Sequence, residues 1–97
     1  MKFKASEVAM MAFAVRTQQT NQGVQPRTFG IDDLKNAMEV FDKLLACSEG
    51  EGTEKKFIDG DIDMTVSDKS LILRLLERPW GIDEGKLYFE IKSKLNK

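Results

Sequence analysis

The chain has 97 residues, with 15 Lys and Arg against 16 Asp and Glu, no His and one Cys, for a net charge of −1. That length makes one domain with its own core. The missing His removes the commonest acid–base catalyst and metal ligand, and a single Cys excludes an internal disulfide and a multi-Cys zinc site.

Alternation over 2–5 predicts a short strand, with Phe3 and Ala5 on one face and Lys2 and Lys4 on the other. Ser6 is the expected N-cap of a helix over 7–17. That helix is built on the run Val8 to Val15 (VAMMAFAV), far short of the roughly 20 apolar residues that span a bilayer. Lys2 and Lys4 precede the run as in a signal peptide, but Glu7 sits directly against it. No cleaved leader and no membrane contact are expected. Arg16 to Gln25 (RTQQTNQGVQ) is polar and reads as a loop.

A helix over 32–47 follows, with Asp32 as its expected cap and Asp33 at the positive end of its dipole. Leu34, Met38, Phe41 and Leu45 are its expected dry face. Glu39 and Lys43, spaced i,i+4 in the favourable order, mark its wet face. Cys47 is expected to pack as a small hydrophobe near the helix end, which suits a reducing, cytoplasmic setting. The stretch Ser48 to Lys56 (SEGEGTEKK) reads as a solvated linker.

The second half begins with a strand over 61–66, with Ile62, Met64 and Val66 inward and Asp61, Asp63 and Thr65 outward. Ser67 is the expected cap of a helix over 68–77, which Pro79 stops. The last segment is ambiguous, because Leu87, Phe89 and Ile91 alternate like a strand. Its match to the helix over 32–47 makes it a helix over 83–95, with Asp83 as cap, Glu90 and Lys94 as its wet pair, and Gly85 costing about 1 kcal/mol against Ala.

The two halves repeat. Arg27 to Leu44 aligns with Arg78 to Leu95 at a constant offset of 51, with eight of 18 positions identical. The identities are Arg27/Arg78, Gly30/Gly81, Ile31/Ile82, Asp32/Asp83, Lys35/Lys86, Glu39/Glu90, Lys43/Lys94 and Leu44/Leu95. Phe3 to Glu7 aligns with Met64 to Asp68 at an offset of 61, so the first copy holds ten extra residues, those of the segment 16–25. The expected architecture is a single α+β domain over 1–97, with repeats at 1–48 and 59–97 joined by a linker at 49–58. Its two β-α-α units are related by a pseudo-twofold, with a short two-stranded antiparallel ribbon and four helices.

A strand ending in Asp63-Met-Thr-Val-Ser67, a helix through Leu71, Ile72, Leu75 and Leu76, and a Gly81-Ile82-Asp83 turn together resemble a ribbon-helix-helix unit. Phe3 to Ser6, the Val8 to Val15 helix and Gly30-Ile31-Asp32 repeat it. The resemblance implies strands 2–5 and 62–66 paired across an axis, and DNA read by their outward side chains. By position those readers are Lys2, Lys4 and Ser6 on one strand and Asp61, Asp63 and Thr65 on the other. Two aspartates oppose phosphate binding, which draws on Lys and Arg that release counterions. Lys2 and Lys4 are expected instead to pair with Asp61 and Asp63 across the ribbon. Neither half has a basic excess: residues 1–48 carry six basic and five acidic side chains, and residues 49–97 carry nine and eleven.

Asp59-Gly-Asp-Ile-Asp63 invites a calcium reading, but the sixth and twelfth positions from Asp59 hold Met64 and Ser70 where an EF-hand needs Gly and Glu. No catalytic motif is present, and no enzyme activity, cofactor, metal or small-molecule ligand is expected. Phe29 and Trp80 are expected to plug gaps between helices, and Arg27 and Arg78 to bond helix-end carbonyls. The function expected is that of a small regulatory or interaction protein binding a protein partner through Asp59, Asp61, Asp63 and Trp80. The alternative is a DNA-binding regulator using Lys2, Lys4 and Thr65.

Overall fold

Two helices in each half, the first of each pair preceded by a short extended segment, hold most of the residues in the computed structural model, which describes residues 1–51 and 56–96. In chain order these are β1 (Lys2–Phe3), α1 (Ala5–Arg16), β2 (Thr17–Thr20), β3 (Gly23–Pro26), α2 (Ile31–Leu45), β4 (Ser48–Glu49), β5 (Lys56–Phe57), β6 (Gly60–Asp61), α3 (Val66–Leu75) and α4 (Ile82–Leu95). The molecule is α+β, and its strands form three antiparallel pairs: β1 with β6, β2 with β3 and β4 with β5. No helix among the described residues is long and apolar enough to cross a membrane.

The ribbon is shorter than expected and lies earlier in the second half. Lys2 faces Asp61 and Phe3 faces Gly60. The Ile62 N–H donates to the Met1 carbonyl at 2.8 Å, and the Met1 ammonium donates to the Ile62 carbonyl at 3.2 Å. Phe3, Ile62 and Met64 point inward and are buried. Val66, expected inward, is 81% exposed because it already belongs to α3.

Gly60 is required by a close approach: a Cβ there would enter the van der Waals sphere of Cys47 Sγ. Cys47 is buried, packing as expected against the core. Gly60→Ala is therefore expected to cost about 2 kcal/mol through overpacking. Cys47→Ala should restore most of that loss in thermal unfolding. An equal cost of Gly60→Ala in both backgrounds would exclude this contact as the cause.

Two expected caps move. α1 starts after Lys4 and α3 after Thr65, so Ser6 and Ser67 sit in the first helical turns rather than before them. The cap work falls to carboxylates at the third helical position. Glu7 accepts the Lys4 N–H at 2.8 Å. Asp68 accepts the Thr65 N–H at 3.0 Å, while the Thr65 hydroxyl accepts the Asp68 N–H at 3.1 Å. This is the reciprocal arrangement in which two otherwise unpaired donors satisfy each other's residues. α2 and α4 begin after Gly30 and Gly81, which displaces Asp32 and Asp83 from the cap into the first turn, still at the positive end of the dipole.

Residues 16–25 are not a loop. β2 and β3 form a hairpin from Thr17↔Pro26 to Thr20↔Gly23, turning at Asn21 and Gln22, with Gly23 at φ +101. Polar composition hid it, since backbone pairing rather than an apolar face holds these strands together. β4 and β5 likewise pair at the ends of the expected linker, and residues 52–55 of that linker lie outside the described ones.

The core is filled by Val8, Met11 and Val15 of α1, Leu71, Ile72 and Leu76, Ile91 and Leu95, and Ala37, Val40 and Leu44 of α2. The expected dry face of α2 is thereby corrected. Leu34 and Met38 are exposed, and Phe41 and Leu45 are half-buried. Apolar residues cover roughly half of the helix circumference at 100° per residue, and the fold buries one side of that arc.

The expected wet pairs are also replaced. Lys43 reaches away from Glu39 to Asp68 at 2.6 Å and to the Asp63 carbonyl at 2.9 Å. Lys94 reaches away from Glu90 to Glu7 at 2.5 Å. Glu7 and Asp68 are almost wholly buried, and a charge in a low-dielectric site attracts a counter-ion far more strongly than an exposed glutamate does. Burial pushes the Asp68 carboxyl up. The hydrogen bonds from Lys43 and Thr65 outweigh that and hold it below the usual carboxylate range.

Candidate functional site

The two ends of the ribbon hold most of the residues singled out from the sequence. Asp59 accepts the Ala5 N–H at 2.7 Å and so serves the N-terminus of α1. Asp61 accepts from the Met1 ammonium at 2.7 Å, which, with Lys2 opposite, draws its carboxyl below the usual range. Lys2, Lys4, Asp61, Asp63 and Thr65 are all exposed. One strand carries only the lysines and the other only the aspartates, with Lys2 in register with Asp61. The expected pairing is corrected, because this register leaves Lys4 and Asp63 at opposite ends, and among the described residues neither lysine forms an ion pair. Thr65 is committed to capping α3.

Trp80 stands apart from this group. It lines a groove between α1 and α4, half-buried, with its indole N–H donating to the Leu76 carbonyl at 2.9 Å. The floor and walls include Ala9, Met10, Phe13, Val24 and Leu87. Phe13 is 43% and Val24 50% exposed, high for large apolar side chains. Val24 is carried on β3, so the hairpin supplies one wall.

Arg78 organises this groove. Its guanidinium carbon lies 5.0 Å from the Phe13 ring centre and 5.1 Å from that of Trp80, a stacked cation between two aromatic faces. It donates to the Thr17 carbonyl at 3.2 Å and the Thr17 hydroxyl at 3.1 Å, which ties the hairpin to the α3–α4 connection. Arg27 lies behind, donating through Nε to the Ala14 carbonyl at 2.9 Å and through Nη2 to the Leu75 carbonyl at 3.5 Å. Burial lowers both guanidinium pKa values, and Arg78 lowers that of Arg27 further. Both remain cationic, as arginine does in proteins. The expected bonding of these arginines to backbone carbonyls at helix ends is what the geometry shows.

A second groove lies between α3 and α2. Its lining mixes the polar Asp33, Asn36, Ser67, Ser70 and Arg74 with the apolar Val66 and Leu71. Arg74 and Asp33 bridge it at 3.4 Å. At the aligned positions the first groove has Glu84, Leu87, Ser6, Ala9 and Phe13. At three of these five pairs, Asn36/Leu87, Ser70/Ala9 and Arg74/Phe13, the first groove is therefore apolar where its counterpart is polar. Among the described residues no cluster of three or more His, Cys, Asp or Glu side chains forms.

Sequence reasoning found Trp80 but missed Phe13 and Val24. Phe13 is lost within a continuous apolar run. Val24 had a signal: it is the one apolar residue in the segment 16–25. Comparisons with protein-family models, curated proteins and solved structures find no match to this chain.

Proposed function

We propose that this is a non-catalytic interaction protein that takes an apolar segment of a protein partner into the groove between α1, α4 and the hairpin. The observation that carries this reading is the contrast between the two grooves. The one walled by the inserted hairpin exposes Phe13 and Val24 beside the half-buried Trp80, whereas its counterpart is spanned by the Arg74–Asp33 ion pair. Rigid aromatic anchors in a concave apolar site are the residues that carry affinity in protein interfaces. The buried thiol of Cys47 fits a cytoplasmic protein.

The chain reads further as an internal duplication about a pseudo-twofold, in a tandem ribbon-helix-helix-like arrangement. α1 and α3 start 61 residues apart and α2 and α4 start 51 apart, the two offsets of the sequence repeat. Met1 and Ile62, aligned at the offset of 61, exchange both backbone hydrogen bonds. Lys43 and Lys94, aligned at 51, each reach the carboxylate in the other half. These equivalences support the reading. The ribbon chemistry, with Lys2 opposite Asp61, does not favour DNA.

Peptides selected from a phage-displayed random library should carry aliphatic or aromatic anchors and shift the fluorescence of Trp80, the sole tryptophan. Phe13→Ala, which leaves that reporter in place, should weaken them about 10- to 100-fold. Mixed duplex DNA should show no gel shift at low salt. A salt-sensitive shift abolished by Lys2→Ala and Lys4→Ala would overturn the protein-partner reading in favour of a DNA-binding regulator.

A further inference from the structure

Arg27 and Arg78 occupy aligned positions, yet their hydrogen bonding is unequal. The carbonyls of Ala14 and Leu75 are themselves aligned, at the offset of 61. Arg27 takes both, the first through Nε at 2.9 Å and the second through Nη2 at 3.5 Å. Arg78 is left with neither. Thr17 holds its Nη1, but its Nε is buried without a hydrogen-bond partner and its Nη2 bonds to no described residue. Nε and Nη2 form one edge of the guanidinium, a fork of donors that matches a carboxylate. Among the described residues no carboxylate pairs with either arginine. Glu84, the carboxylate that lines the groove, is exposed and folds back over Gly81. The groove thus holds a half-buried cation that lacks a counter-ion, where buried charges are ordinarily paired.

We propose that Arg78 sets the specificity of the groove: the apolar partner segment carries an Asp or Glu side chain, which Arg78 receives through Nη2. The inference rests on the groove being the partner site. A carboxylate supplies both the acceptor that this edge lacks and the missing counter-charge. The rings of Phe13 and Trp80, 5.0 and 5.1 Å from the guanidinium carbon, shield it from water, so the attraction is less screened than at an open surface. A basic segment would meet a like charge, and a wholly apolar one would bury the cation with its edge still unbonded. An internal side chain fits better than a chain terminus. Apolar lining comes from α1, before the Thr17 junction that Arg78 grips, and from the hairpin, after it. A terminus at Arg78 would leave one of these uncovered.

Peptides selected against the wild-type chain from the phage-displayed library should share one acidic position beside their apolar anchors. Replacing that residue by its amide should weaken binding to the wild-type chain about tenfold or more at about 50 mM salt, and the difference should narrow at about 500 mM. Amidating the peptide C-terminus should change nothing. Arg78→Gln should bind the acidic and amide forms alike, whereas Phe13→Ala should weaken both by the same factor. The acid-to-amide comparison on the wild-type chain decides the matter even if Arg78→Gln fails to fold. Binding lost on amidation would overturn the inference in favour of a terminal carboxylate. Neutral peptides that bind as tightly as acidic ones, and are weakened by Phe13→Ala, would overturn it and leave the groove reading standing. Peptides indifferent to Phe13→Ala would overturn both.

Discussion

Asp68→Ala is expected to lower stability by about 3 kcal/mol near neutral pH, the low end for breaking a buried ion pair, because the abandoned Lys43 ammonium can still reach water. The loss has two sources. The Thr65 N–H loses its acceptor, which removes the reciprocal half of the α3 cap, and Lys43 loses the partner at 2.6 Å. The pH dependence gives a sharper test. Asp68 titrates below the usual carboxylate range in the folded chain, so the stability it contributes is fully present above its unfolded pKa and disappears as pH falls through the folded one. Lys43 titrates above its ordinary value, chiefly through its hydrogen bond to Asp68, so its contribution is full below the ordinary lysine range and is lost only above it. The difference between wild type and Asp68→Ala should therefore be flat from about pH 5 to pH 9 and shrink below about pH 4. Urea titrations at stepped pH measure it, and a difference unchanged in acid would exclude ionisation of Asp68 as the source. Asp68→Asn, which keeps the shape, should show the same acid behaviour with a smaller loss. Lys94→Met probes the other pair and should cost at least as much. It abandons a carboxylate with 0% exposure, whose second oxygen already has no partner among the described residues.

A contrast within α2 supplies the second large effect. Leu44→Ala should cost about 3 kcal/mol, and Met38→Ala should stay within about 0.5 kcal/mol in dilute solution. Both residues are large, apolar and on one helix. Leu44 is fully buried, so its truncation leaves a cavity among α1 and its neighbours, whereas Met38 is 61% exposed and leaves none. For a domain of this size the Leu44 loss corresponds to about 12–24 °C in melting temperature. A larger loss at Met38 than at Leu44 would mean that the helix buries the side expected from its sequence.

That contrast also marks how far the sequence reads. Period and caps placed all four helices to within a few residues, including α4, whose alternating Leu87, Phe89 and Ile91 would have made a strand without the match to α2. The antiparallel contact between the first strand and the region of Asp61 followed from the ribbon-helix-helix resemblance, whereas the α+β class, the burial of Cys47 and the carbonyl bonding of Arg27 and Arg78 were legible more locally. Each of these last three depends on a residue type and its immediate neighbours. The hairpin over 17–26 escaped because its strands have almost no apolar alternation to announce them. The groove was half legible: Trp80 stood out as the sole tryptophan, whereas Phe13 acquires its place only when Arg78 folds over it.

Composition and periodicity were enough to place four helices in an α+β chain without histidine. Those properties arise from interactions within one or two turns, and the order of residues writes them down. The partners of Lys43 and Lys94, 25 and 87 residues away in sequence, the buried side of α2 and the apolar groove belong to the tertiary structure alone. They are settled where segments distant in sequence compete for the same buried volume and for the few charges within it.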